Sequence, residues 1–136
     1  EQSRVATPVA LKIRHHGDFH LGQVLMVKDD AFLIDFEGEP RRSLEERRAK
    51  APAARDVAGC CRSIDYAASA ALRRMTDITP EEHSRLIESV RRWSGVLTET
   101  YLDAYRSAVK DSALWPQDPK AADDLLAFFL LEKAFY

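Results

Sequence analysis

His15-His16-Gly17-Asp18-Phe19-His20-Leu21-Gly22-Gln23 and, after a short apolar stretch, Asp35-Phe36-Glu37-Gly38-Glu39-Pro40 are the segments whose reading decides the rest of the chain. Between them, Val24–Val27 and Ala31–Ile34 are apolar runs joined by Lys28-Asp29-Asp30, the pattern of a β-hairpin bounded by turn residues. Such a hairpin would carry Asp18, Gln23 and Asp35 to one edge. Two carboxylates brought that close repel each other in a low-dielectric cleft, and a divalent cation relieves the repulsion. Each half alone says little. His, Gly and Asp are ordinary turn residues, and Asp-Phe-Glu-Gly fits a strand end running into a turn. The signal lies in their order and spacing.

That order, His-x-Asp, an amide five residues after the aspartate, a hairpin and then Asp-Phe-x-Gly, resembles the catalytic and metal loops of protein-kinase-like phosphotransferases. The resemblance implies that Asp18 accepts a proton from the attacking hydroxyl. It also implies that the amide oxygen of Gln23 and the carboxylate of Asp35 hold Mg²⁺ on the phosphates of ATP. His16 and Gly17 would shape the loop, and His20 would support it through a hydrogen bond. A competing reading takes His15, His16, His20, Asp18 and Asp35 as ligands of a two-metal hydrolase. It leaves Gln23 unexplained, because a neutral amide is a poor ligand for a hydrolytic transition metal.

The whole chain sets bounds on these readings. Its 136 residues fit one domain with a buried core, and 46% hydrophobic with 31% charged residues is an ordinary globular balance. A net charge of −2 argues against an extended nucleic-acid footprint. No apolar run approaches the roughly 20 residues of a membrane span, and Glu-Gln-Ser-Arg-Val-Ala at the start lacks signal-peptide form. A bond between the adjacent Cys60 and Cys61 would be strained, so they read as small buried hydrophobes of a reducing compartment, with the cytoplasm as default. The glycines stand at 17, 22, 38, 59 and 95, so no glycine-rich phosphate loop is present. Kinases take that loop and a strand lysine from a lobe that precedes the catalytic loop. The expectation is therefore a fragment: residues 1–136 as the helical C-terminal lobe, with the N-terminal nucleotide lobe absent. The face once covered by that lobe would be bare and would favour self-association.

Residues 1 to 10 suggest a loop or the tail of a helix, and Leu11 to Arg14 a short strand. Ser43-Leu44-Glu45-Glu46 is a capping-box pattern starting a short helix that runs to about Lys50, before Pro52. Arg41, Arg42, Arg47, Arg48 and Lys50 crowd near the second loop, either as a solvated face or with one or two turned to substrate hydroxyls or phosphate. From Arg55 to about Met75, the residues Val57, Cys61, Ile64, Ala68, Ala71 and Met75 recur at helical steps. Asp56 at its start either caps that helix or, as in kinase-like folds, braces the catalytic loop. Thr79-Pro80-Glu81-Glu82 opens another helix, with Leu86, Val90, Trp93, Leu97 and Tyr101 in one stripe to about Lys110. That stripe reads as core rather than as a sugar platform. Asp118 and Pro119 open a last helix, rich in Leu and Phe from Leu125 to Phe135. The fold class expected is mainly α with a small β-hairpin: catalytic loop 15–23, metal loop 35–40 and helical bundle 55–136.

Taken together, His-Gly-Asp-Phe-His-Leu-Gly-Gln, Ile-Asp-Phe-Glu-Gly-Glu-Pro, Arg47-Arg48-Ala49-Lys50, Arg55-Asp56-Val57-Ala58-Gly59 and Arg62-Ser63-Ile64-Asp65-Tyr66-Ala67-Ala68 resemble the bacterial maltokinases. These enzymes belong to the aminoglycoside-phosphotransferase-like branch and are often fused behind a trehalose synthase domain. Leu131-Glu132-Lys133-Ala134-Phe135-Tyr136 resembles their late helix. The match is dense from residue 13 to about 75 and patchy beyond, and Cys60-Cys61 departs from the larger apolar residues expected there. The resemblance implies ATP-dependent phosphorylation of maltose at its reducing-end hydroxyl, with Mg²⁺ as the metal. Candidate sugar contacts are Glu37, Arg42, Lys50, Asp65 and Tyr66. Two rivals stay open: another small-molecule kinase of this branch, acting on an aminoglycoside, choline or another sugar, and a non-catalytic kinase-like interaction module.

Overall fold

The computed structural model describes residues 10 to 135. The loop or helix tail expected over residues 1 to 10 lies, but for Ala10, outside them, as does Tyr136. Strand β1 (Lys12–Ile13) leads into the first loop, and β2 (Val24–Val27) and β3 (Asp30–Leu33) form the hairpin. Helix α1 (Leu44–Arg48), strand β4 (Ala51–Pro52) and helices α2 (Ala54–Arg73), α3 (Pro80–Val109) and α4 (Pro119–Ala134) follow. The described chain is mostly helical, with two small antiparallel sheets.

The hairpin sits one residue earlier on its return strand than the apolar run suggests. Val27 pairs with Asp30, leaving Lys28-Asp29 as a two-residue turn, and Lys28 takes a φ of 56°. A positive φ at the first turn position matches the strand twist, and the tighter turn wins over the extra apolar residue. β4 has no counterpart in the sequence reading. It pairs Ala51 with Ile13 and Pro52 with Lys12, so the proline expected only to stop a helix serves a two-residue strand, and α1 itself ends at Arg48, short of the expected Lys50. Such a short pairing tolerates the missing N–H.

Both capping boxes form as their residues dictate. Ser43 and Glu46 exchange hydrogen bonds of 2.8 and 3.2 Å, and Thr79 and Glu82 do the same at 2.8 and 3.2 Å. Asp118 accepts from the Ala121 N–H at 2.8 Å, opening α4 with Pro119 just inside.

The core lies where α2 meets α3 and α4. Val57, Ala58 and Cys61 of α2 pack with Trp115, Ala122, Leu126 and Phe129, and Tyr101, Tyr105 and Val109 close the side. Trp115, in the α3–α4 connection, meets Tyr105 edge-on with ring centroids 5.3 Å apart. Cys60 and Cys61 are buried free thiols, and burial pushes Cys61 up to about 11. The expected stripes run out toward the far end of the bundle: Ala71 and Met75 are exposed beyond Ala68, and Trp93 on α3 is half exposed. α3 is longer than α2, 30 residues against 20, a difference of about 15 Å of helix. No helix among the described residues is long and apolar enough to cross a membrane.

Candidate active site

The first loop, residues 15–23, lies across one stripe of α2. Asp56 receives the His16 N–H at 2.6 Å and the Gly17 N–H at 2.9 Å, one on each carboxylate oxygen. It does not cap its own helix, whose N-cap is Ala53, without a side-chain hydrogen bond. One turn on stands Gly59, where a Cβ would fall 2.5 Å from the Phe19 carbonyl oxygen. A further turn on, Ser63 Oγ accepts the Leu21 N–H at 3.1 Å and donates to the Cys60 carbonyl at 2.7 Å. The spacing i, i+3, i+7 sets Asp56, Gly59 and Ser63 on one helix face. Two donors, one close backbone approach and one further donor fix the loop on that face.

Inside the loop, His16 is buried between Phe19 and Phe36, with ring centroids 5.6 and 4.8 Å away. Its Nε2 lies 2.7 Å from the Ile34 carbonyl oxygen, which can only accept, so Nε2 carries the proton. Nδ1 is then the acceptor for the Asp18 N–H at 3.4 Å. One imidazole thus joins the Asp18 backbone to the end of the hairpin. His20 folds back over Gly22 and accepts its N–H at Nδ1, 3.0 Å away. That tautomer turns the Nε2–H toward Asp18 Oδ2, at 4.0 Å. His15 is buried, and desolvation holds its imidazole below the usual 6.5 against the opposing pull of Asp56.

The second loop, residues 35–40, meets the first at two points. Gln23 is buried and its Nε2 donates to Asp35 Oδ2 at 3.1 Å, while Ile34 N–H donates to the Gln23 carbonyl at 3.0 Å. Asp35 sits at φ 61°, a left-handed conformation that Asp tolerates better than most residues. Gly17 at φ 88° and Gly38 at φ 80° touch backbone to backbone, since a Cβ on Gly17 would stand 3.1 Å from Gly38 Cα. The donor set fits Mg²⁺. A carboxylate and an amide are hard oxygen ligands, and magnesium takes one or two protein oxygens, completing its shell with water and phosphate. By contrast, no group of three or more His, Cys, Asp or Glu is placed to hold an ion among the described residues.

Asp18 and His20 open on a cleft of about 570 Å³, also lined by Arg42, Gly59, Ser63 and Tyr66. Of the candidate sugar contacts, Arg42 and Tyr66 line this cleft, whereas Glu37, Lys50 and Asp65 do not. Lys50 is exposed, Asp65 pairs with Arg62 at 3.8 Å, and Glu37 turns its carbonyl to Arg47 at 3.5 Å. Arg42 and Arg55 both bond Glu132 Oε1, at 3.1 and 2.8 Å, tying the segment after the second loop to α2 and α4. Sequence reasoning missed Gly59, Ser63 and the Arg55–Glu132 pair. The helical spacing from Asp56 was the available signal for the first two; a contact 77 residues apart left none for the pair.

No family model matches the chain. Two curated relatives are glucosamine kinases. That of Streptacidiphilus jiangxiensis is 35% identical over 94 residues, 69% of this chain and 20% of the relative. That of Mycolicibacterium smegmatis (strain ATCC 700084 / mc(2)155) is 40% identical over 65 residues, covering 48% of this chain and 16% of the relative. A solved structure of glucosamine kinase in complex with glucosamine, ADP and inorganic phosphate superposes with a TM-score of 0.70 at 30% identity, over 87% of this chain and 27% of that one. Crystal form B of glucosamine kinase gives 0.61 at 34% identity, over 85% and 24%. The homologues are glucosamine kinases. The chain spans about a fifth of the length of the first curated relative. The sugar-kinase half of the sequence reading agrees with these matches; the maltokinase half finds no counterpart among them.

Proposed function

We propose that residues 1–136 are the catalytic-loop-bearing, helical C-terminal lobe of an ATP-dependent sugar kinase whose nucleotide lobe is supplied elsewhere in a longer protein. The observation that carries this reading is the linked pair of loops: Asp56 and His16 fix the backbone around Asp18, and Gln23 meets Asp35 at 3.1 Å. The Asp18 carboxylate accepts the proton of the sugar hydroxyl as that oxygen bonds to the γ-phosphorus and the bond from that phosphorus to the bridging oxygen breaks, with ADP leaving; His20, 4.0 Å away, orients the carboxylate. Gln23 Oε1 and Asp35 would hold Mg²⁺, which would supply charge neutralisation for the nucleotide phosphates. Phosphoryl transfer depends mainly on positioning and electrostatics, so a base fixed by its backbone is the part such a lobe contributes.

The acceptor is a sugar. Glucosamine is supported by the names of the relatives, and maltose by the motif resemblance, under which a trehalose synthase domain would precede the kinase. The test is coupled ATP turnover by the full-length protein with glucosamine and with maltose. Asp18→Asn should lower turnover by about 10²- to 10⁴-fold with little change in nucleotide affinity. Asp35→Ala should remove the magnesium dependence of nucleotide binding, and Gln23→Ala should weaken it less. Wild-type turnover in Asp18→Asn would remove the base, and unchanged MgATP binding in Asp35→Ala would remove the metal site. The 136-residue chain alone should show no sugar-dependent turnover, because the phosphate clamp of the other lobe is half of the machinery.

A further inference from the structure

The cleft beside Asp18 is unbalanced in charge. Four cationic side chains line it (Arg41, Arg42, Arg62 and Lys133) against the two carboxylates of Asp18 and Glu39. Two of the four are matched: Arg42 by Glu132 at 3.1 Å and Arg62 by Asp65 at 3.8 Å. Lys133 is different. It is half-buried, and its Cε lies 3.7 Å from the point where a Gly59 Cβ would stand, so its stem runs along the loop-facing stripe of α2. It forms no ion pair among the described residues. Its neighbour Glu132 is engaged by two arginines. A lysine whose stem is packed against the helix, and whose ammonium meets no carboxylate in a cleft, is free to give its charge-assisted hydrogen bonds to a ligand oxygen.

We propose that Lys133 is the centre of an oxyanion subsite in the cleft that holds Asp18. Its ligand chemistry is a phosphate or carboxylate oxygen bound in the same cleft as Asp18. Two sources present that chemistry: the phosphoryl group in transfer, or an anionic substituent on the acceptor sugar itself. The assignment of a role in transfer rests on the kinase reading above; the binding site does not.

The experiment is calorimetric titration of the purified chain with inorganic phosphate, glucose 6-phosphate, glucuronate and glucose, for wild type, Lys133→Gln and Lys133→Arg. Circular dichroism checks that each variant is folded. A charge-assisted hydrogen bond lost from a partly desolvated site should weaken the anionic probes by about 10-fold or more in Lys133→Gln. Lys133→Arg should restore most of it, and glucose should change by less than about twofold. Lys133-dependent binding of inorganic phosphate assigns the subsite to the phosphoryl group. Lys133-dependent binding of glucuronate and glucose 6-phosphate, with phosphate alone indifferent, assigns it to the acceptor. Anion binding that ignores Lys133→Gln in a folded protein, or no anion binding at all, overturns the proposal. Because these titrations involve no turnover, failure of the kinase chemistry at Asp18 would show separately.

Discussion

The two loops that meet at Gln23 and Asp35 are held by opposite means. The first, residues 15–23, rests on a helix. Asp56, Gly59 and Ser63 engage its backbone at three successive points, and His15, His16 and Gln23 are buried. The second, residues 35–40, follows an exposed hairpin. Met26 and Phe36 are 69% and 58% exposed, and Asp35 itself is exposed. It is fixed through the first loop, by the Gln23–Asp35 bond, the His16–Ile34 bond and the Gly17–Gly38 contact. The difference teaches a division of labour. On the roles proposed above, the base in the first loop would have to be pre-set to a fraction of an ångström relative to a hydroxyl, whereas a metal ligand in the second would be drawn into place by the charge it binds.

If that comparison is right, the helix-facing contacts are the most sensitive. Asp56→Ala leaves the His16 and Gly17 N–H groups without their acceptor, at about 1–3 kcal/mol each. Gly59→Ala drives a methyl into the Phe19 carbonyl, at about 1–3 kcal/mol, partly offset by about 1 kcal/mol of helix propensity. Urea denaturation should place Asp56→Ala well below wild type and Gly59→Ala below it by up to about 2 kcal/mol. A Gly59→Ala protein of wild-type stability would mean that the loop moves off α2 freely, and the contrast between the loops would fail.

An intermediate effect comes from His15. Burial depresses its folded value below the ordinary 6.5, so the unfolded chain takes up the proton more readily. Its contribution is complete above about pH 6.5 and is lost as the pH falls below that, by at most about 1.4 kcal/mol per pH unit for one proton. Melting curves at pH 7.5 and 5.5 should separate for wild type and draw together for His15→Gln. The smallest effect belongs to the hairpin. Met26→Lys should change the stability of this chain by less than about 0.5 kcal/mol. A much larger loss in a longer form of the protein would sharpen the comparison by showing the hairpin covered there.

The sequence by itself determined the elements with local causes. The capping boxes at Ser43 and Thr79, the cap at Asp118, the apolar hairpin and the core stripe of α2 through Ala68 are each set by residues within a turn or two of one another. It also determined the order of Asp18, Gln23 and Asp35, since a hairpin brings residues on either side of it together whatever surrounds it. Only the tertiary structure decided the rest. Asp56 reads equally well as a cap or a brace until 40 residues of separation are closed and its carboxylate meets the loop. Gly59 looks like a weak point in a helix until a carbonyl is laid against it. Arg42 and Tyr66 are gathered into the cleft, and Lys50, Asp65 and Glu37 are left out of it, by how the segment after the second loop lies against α2 and α4. Pairings of that kind are settled by burial and close approach between distant segments, and no local pattern encodes them.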